Sequence, residues 1–416
     1  MSGILRAAAL AGLLVLGLSA PPPVSAQLQP NDLAGDAFYT PPSPLPPAEH
    51  GAVIRSRPLD TAAVLPSAAR NVLILYYSMD LDGRAIAVSG TLAIPPGTPP
   101  EGGWPLITWT HGTTGLADIC APSRDRVGGP AHEYLAFTRS ILDEYVKRGY
   151  AVAATDYEGL GTPGLHPYLQ GGSEARGALD IMRAAREIDP RIGTRYVVMG
   201  HSQGGQADLF TASLGPDYVP ELTPLGNVAI APASHLAERV EGIVRGTSPT
   251  PALAYAMYVL ESFASNHPAI DLPDILTPEA LAHLGVTREE CMSSTMAAGY
   301  WKTAIPKDQF LPGADLGPVL QVAARNDPGN LRISVPTLLM QGTADQTVAP
   351  AETDAFARAL CEKNNIVLYR VYPGATHVGV VTAGAPDAQA WIEARFRGEP
   401  PENNCNALPS AAEVRN

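Results

Sequence analysis

Five residues constrain this chain more than any others: Gly200-His201-Ser202-Gln203-Gly204. They follow Val197, Val198 and Met199, which read as a strand buried on both faces. They precede residues 205–213, whose small and polar side chains suit a helix. Strand, sharp turn and helix around Gly-x-Ser-x-Gly are the context of a nucleophile elbow. So tight a turn needs nearly bare flanks, which Gly200 and Gly204 supply, while Gly205 lets the helix lie close to the strand. The Ser202 hydroxyl would then stand above the sheet edge, facing the positive end of the helix and its free N–H groups. The competing reading is a Gly-rich turn with an ordinary serine, and the partners of Ser202 decide between the two.

A serine hydroxyl needs a base to take its proton, and the base needs an acid to fix its tautomer. After such an elbow the partners follow in the order Ser, Asp or Glu, His. Of nine histidines, only His377 lies in a loop just after a late predicted strand, in Tyr372-Pro-Gly-Ala-Thr-His-Val-Gly379. His235, His267 and His283 fall in a different, helical region. Asp345 is the candidate acid, at the end of Val335-Pro-Thr-Leu-Leu-Met-Gln-Gly-Thr-Ala-Asp345; a helix cap or Asx-turn is its bland alternative. Asp354 is the fallback, although it should lie within a helix. For the oxyanion, one donor is the backbone N–H of Gln203 and the other belongs to the loop His111-Gly-Thr-Thr-Gly115, at Thr113 or Thr114. His111 and His201 read as structural hydrogen-bonders.

Around these residues the chain alternates. Strands are expected at 71–77, 84–94, 105–110, 150–155, 228–230, 333–340 and 366–372, the first two as an antiparallel pair at one sheet edge. Helices are expected at 134–148, 179–188, 352–362 and 385–396. The rhythm implies an α/β fold, with a mainly parallel sheet covered by helices on both faces. It breaks at 233–331, which reads as an inserted helical cap between core segments 51–232 and 332–405. Within it Leu253-Ala-Tyr-Ala-Met-Tyr-Val-Leu260 fits either an acyl-chain wall or plain helix packing. Residues 27–50 are Pro-rich and read as an extended lead-in, and 406–416 as a tail.

The N-terminus reads as a signal peptide over 1–26: Arg6, an apolar run over 7–20, then Val24-Ser25-Ala26 before Gln27. An uncleaved anchor is the alternative, though the run is short for a membrane span. The expectation is an exported, soluble mature chain with no transmembrane segment. Export gives meaning to the even cysteine count: Cys120, Cys291, Cys361 and Cys405 suggest two disulfides, with three possible connectivities. No two are spaced as metal ligands, and His132-Glu133 is not followed by a second histidine at 136. No metal or organic cofactor is called for. A net charge of −13 without a basic stripe speaks against nucleic acid as a partner.

These residues resemble the secretory lipase family of α/β-hydrolases, which includes fungal lipase A. The likeness rests on the elbow, on Cys120-Ala-Pro-Ser123, on Asp156-Tyr-Glu-Gly-Leu-Gly161, on Gly342-Thr-Ala-Asp345 and on His377 in its Gly-rich loop. It implies the α/β-hydrolase fold with a helical cap, and a triad of Ser202, Asp345 and His377. It also implies an oxyanion hole near Thr113, Thr114 and Gln203, and disulfides Cys120–Cys291 and Cys361–Cys405. Fungal relatives carry an acidic residue in the oxyanion loop, where this chain has His-Gly-Thr-Thr-Gly. The expected activity is a secreted serine ester hydrolase acting on acylglycerols, with an oil–water interface as one place it would meet them. Esterases of short-chain esters or polyesters, and acyltransferases on the same triad, are the rivals. A peptidase and a catalytically silent binding protein on the same fold stand further off.

Overall fold

A computed structural model describes residues 34–297 and 299–413; the signal-peptide segment lies outside the described residues. Nine strands form one sheet in the order β1-β2-β3-β5-β4-β6-β7-β8-β9. They are β1 Val53–Pro58, β2 Arg70–Met79, β3 Ala85–Ile94, β4 Trp104–Thr110, β5 Ala151–Thr155, β6 Ile192–His201, β7 Thr223–Ile230, β8 Thr337–Gly342 and β9 Val367–Tyr372. The expected antiparallel pair is β2 and β3, but β1 lies outside it, so the pair is not the edge. From β5 onward every neighbour is parallel.

Helices α1 His132–Lys147, α2 Gly171–Ile188, α3 Gln203–Tyr218 and α10 Pro350–Glu362 join the strands, and α11 Gly379–Ala383 and α12 Ala385–Phe396 follow β9. Between β7 and β8 run α4 Leu236–Val244, α5 Ala252–Asn266, α6 Pro278–Leu284, α7 Met292–Ala297, α8 Tyr300–Thr303 and α9 Gly317–Arg325. This helical segment has its own apolar cluster, centred on Leu253, Met257, Leu260 and Phe263. That cluster also takes in Leu116, Tyr168 and Leu169 from the sheet side.

Several boundaries differ from the sequence reading for local reasons. Helix α2 begins eight residues earlier, at Gly171 rather than 179. Its glycines weaken the helical signal but permit close packing: a Cβ on Gly171 would sit 2.3 Å from the Phe210 ring. Strand β8 starts at Thr337, because Pro336 has no N–H for the ladder. The Pro-rich lead-in is not wholly extended: Gly35–Tyr39 forms a 3-10 turn that buries Phe38 and Tyr39. Tyr39 Oη lies 2.9 Å from Ser123 Oγ.

Disulfides join Cys120 to Cys291 and Cys361 to Cys405. The first ties the loop after β4 to the helical segment. Beside it, Gly115 bridges Cys291 and the Met292 N–H donates to the Thr114 carbonyl at 2.8 Å. The second ties the C-terminal stretch to α10. No helix among the described residues is long and apolar enough to cross a membrane.

Candidate active site

Parallel strands bring their C-terminal ends to one edge, and loops at that edge converge. Thr110 ends β4, His201 ends β6, Gly342 ends β8 and Tyr372 ends β9. The expected site residues follow these ends directly. The helical segment emerges after β7, at the same edge.

The turn at Ser202 is as tight as its sequence demands. Ser202 has φ 61° and ψ −119°, a left-handed conformation that costs a non-glycine residue about 1–3 kcal/mol. A Cβ on Gly200 would lie 2.1 Å from the Gly204 carbonyl oxygen, and one on Gly204 would lie 2.0 Å from that of Thr110. Thr110 Oγ1 donates to the Gly204 carbonyl at 2.8 Å, fastening the turn to β4. On the other side the Ser202 N–H donates to the Ile230 carbonyl at 2.9 Å.

Ser202 Oγ lies 2.9 Å from His377 Nε2, and His377 Nδ1 lies 2.7 Å from Asp345 Oδ2. The other carboxylate oxygen, Asp345 Oδ1, accepts the N–H groups of Thr347 at 2.8 Å and Val348 at 2.9 Å. Burial pushes the Asp345 carboxyl up, but the bonds from His377, Val348 and Thr347 outweigh it and hold it below its ordinary range. An ionised Asp345 can only accept, so His377 Nδ1 carries the proton and Nε2 is free to accept from Ser202. The fallback acid Asp354 is elsewhere: it accepts from Tyr369 Oη, Ser410 Oγ and the N–H of Ala411, anchoring the C-terminal stretch. His267 bonds Gln170, and His283 stacks on Tyr300.

Gln203 opens α3, so its N–H has no partner within the helix and lies beside Ser202. Thr113 Oγ1 is 2.9 Å from Tyr168 Oη, and Tyr168 lines the cavity that reaches Ser202. The Thr114 carbonyl accepts the Met292 N–H. Of the two threonines, Thr113 is the one bonded to a residue of the cavity wall.

That cavity holds ≈ 560 Å³ of empty space, part of it open to solvent. Its walls are mostly apolar: Leu236, Val240 and Ile243 on α4, and Ala256, Val259 and Phe263 on α5. Leu253, Met257 and Leu260 point instead into the helical cluster. The stretch 253–260 therefore both lines the cavity and packs among the helices. Among the described residues no group of three His, Cys, Asp or Glu side chains comes together as a metal site.

Sequence reasoning missed a second layer. Gln203 Nε2 donates to Glu174 Oε1 at 2.7 Å and to His166 Nε2 at 2.8 Å. Burial pushes Glu174 up to about 8 and His166 down to about 3, so near neutral pH both are uncharged. Tyr134, on α1, bonds both Gly112 and His201. Nothing in the local pattern of 134, 166 or 174 marks them, because their partners are chosen by tertiary packing.

The secretory lipase family matches residues 137–404. Lipase 10 of Candida albicans is 24% identical over 405 residues, covering 91% of this chain and 84% of that relative. A Mycobacterium tuberculosis protein described as a probable inactive lipase is 26% identical over 386 residues, covering 88% and 82%. Among solved structures, Candida antarctica lipase A superposes with a TM-score of 0.77 at 20% identity, over 89% of this chain and 88% of that one.

Proposed function

The chain belongs to the secretory lipase family and is a carboxylic ester hydrolase on the α/β-hydrolase fold; from that premise we propose that it is a secreted lipase that cleaves acylglycerols through an acyl-enzyme on Ser202. His377 Nε2 takes the Ser202 proton as Oγ attacks the ester carbonyl. The N–H of Gln203 and that of Thr113 or Thr114 hold the tetrahedral oxyanion. His377 then protonates the leaving alcohol, and a water activated by the same nitrogen releases the acid. Asp345 stays ionised and keeps His377 in the tautomer that can accept. Export follows removal of residues 1–26, and the two disulfides suit the oxidising compartment outside the cell.

One observation carries this reading: the Ser202–His377–Asp345 bonds open directly onto an apolar cavity walled by α4 and α5. The bonding gives Ser202 the base that nucleophilic attack requires, and the apolar wall favours an acyl chain over a peptide. The test is hydrolysis of an emulsified triglyceride by the parent and by Ser202→Ala. The parent releases fatty acid, and the variant falls by about 10⁴-fold or more. Equal rates would remove Ser202 from the reaction. Cleavage confined to acetate and butyrate esters would make the protein a short-chain esterase instead.

A further inference from the structure

Four residues from four separate stretches form one hydrogen-bonded line beside the site. The Gly112 N–H donates to Tyr134 Oη at 2.8 Å. Tyr134 Oη lies 3.0 Å from His201 Nδ1, and His201 Nε2 lies 2.9 Å from the His377 carbonyl oxygen. Gly112 belongs to the oxyanion loop, Tyr134 to α1, His201 to the elbow and His377 to the loop that carries the base.

The proton positions along this line follow from the chemistry of its ends. A carbonyl oxygen can only accept, so His201 Nε2 must carry hydrogen. Burial pushes the His201 imidazole down to about 3, so it is neutral and Nδ1 is bare. Tyr134 O–H must then donate to Nδ1, which leaves its oxygen to accept from Gly112. Every donor has one acceptor and the order runs one way. The room for the line is set by a glycine: a Cβ at 112 would sit 2.4 Å from Tyr134 Oη. The His201 ring also lies against that of His377, with centroids 4.7 Å apart.

We propose that Tyr134 and His201 are positioning residues, a clip that holds the base-bearing loop and the oxyanion loop in register across Ser202. The proposal rests on the acyl-enzyme reading above. Asp345 fixes the far nitrogen of His377, but a ring held at one nitrogen can still swing with its loop. The bond from His201 to the His377 carbonyl fixes the backbone that carries the ring. Tyr134 passes the same constraint to Gly112, one residue before Thr113. Neither residue bonds to the reacting atoms, so both should act on the rate of chemistry and not on substrate binding.

The experiment compares the parent with Tyr134→Phe, His201→Asn and His201→Gln on a soluble aryl ester. Rates are counted per site labelled by an organophosphonate, so that misfolded enzyme drops out. His201→Asn reaches Tyr134 but not the His377 carbonyl, whereas the longer amide of His201→Gln can donate to it. The expected result is a kcat lower by about 10- to 100-fold in His201→Asn and by about 10-fold in Tyr134→Phe, with KM within about twofold of the parent. His201→Gln recovers to within about threefold of the parent. If all three lose melting temperature while kcat per labelled site stays at the parent value, the line is structural only and the proposal fails. Equal losses in His201→Asn and His201→Gln also overturn it. A substrate-free readout separates this failure from that of the acyl-enzyme reading: the downfield proton resonance of the His377–Asp345 bond should broaden in His201→Asn and persist in His201→Gln. If Ser202→Ala keeps parental activity while that resonance behaves as stated, the clip stands and the nucleophile assignment falls.

Discussion

Beneath the cavity, the groups around Ser202 follow strand ends and are fixed by directional bonds; above it, α4 and α5 turn mostly apolar side chains to the cavity. The floor specifies atoms. Its bonds run between single donors and acceptors, and moving one by an ångström removes it. The roof specifies volume. Its contacts are dispersion and burial, which tolerate changes of shape so long as the space is filled. The contrast teaches where chemistry and selectivity reside: floor substitutions should change how fast any ester is cut, and roof substitutions which ester.

The largest effect should come from Asp345→Asn. The amide can offer N–H to His377 Nδ1 and turn the ring into the wrong tautomer, with Nε2 protonated and unable to accept from Ser202. We expect kcat to fall by about 10⁴-fold for short and long esters alike, with KM little changed. A loss that depends on acyl length would break the division between floor and roof.

The two disulfides test whether the roof is tied to the floor. The bridge Cys120–Cys291 spans 171 residues and Cys361–Cys405 spans 44. Chain entropy alone gives similar stabilisation, about 5 and about 4 kcal/mol. Their functional weight should differ. Replacing both Cys120 and Cys291 by serine should lower melting temperature and kcat together, because Gly115 and Thr114 lean on Cys291 and Met292. Replacing both Cys361 and Cys405 by serine should lower melting temperature alone. Thermal melts and kinetics on one soluble ester distinguish the pairs.

Glu174 supplies a pH test of the floor. Burial lifts its carboxyl from 4.5 to about 8. A folded pKa above the unfolded one means that the folded state binds the proton more tightly. The contribution is therefore fully present below pH 4.5 and is lost as pH rises through about 8. Glu174→Gln keeps the acceptor for Gln203 and Leu169 without the ionisation. The variant should match the parent near pH 4.5 and be more stable at pH 9, by an amount on the order of a few kcal/mol in chemical denaturation. Equal curves at both pH values would mean that Glu174 ionises freely where it sits.

On the roof, Val259→Trp should shorten the cavity. If it displaces three methylenes of an acyl chain, the lost burial is about 2.4 kcal/mol, or roughly 60-fold in kcat/KM for long chains. Butyrate esters should be cut as before. A uniform loss across chain lengths would assign α5 to the floor.

This division also explains what could be read from the chain beforehand. Ser202, Asp345 and His377 each sit just past a strand end, and a parallel sheet brings such loops to one edge whatever lies between them. Gly200 and Gly204 were legible because only a bare backbone fits where Thr110 approaches. The second layer was not legible. Tyr134 meets His201 across 67 residues and Glu174 meets Gln203 across 29, through helix placements that no local pattern encodes. The same holds for Phe38 and Tyr39, hidden in a Pro-rich stretch that looks solvated. The glycines that let helix α2 pack also weaken its helical signal, which hides its first two turns from the sequence.

The smallest expected effect is also the sharpest test of the contrast, because Arg239 is a polar tie on the roof itself. Arg239 on α4 donates to Glu352 Oε2 on α10 at 2.6 Å and to the Thr347 carbonyl at 2.8 Å, beside the loop that carries Asp345. Both side chains retain contact with water, 20% for Arg239 and 28% for Glu352. Screening should therefore hold the pair to about 1 kcal/mol or less. A double-mutant cycle of Arg239→Gln and Glu352→Gln, read by chemical denaturation, should give a coupling of about 0.5–1 kcal/mol, with butyrate-ester kcat within about threefold. A coupling above about 2 kcal/mol would mean that the roof, like the floor, is held by directed bonds. Opening it would then require breaking a specific pair, since sliding one apolar face off another would no longer suffice.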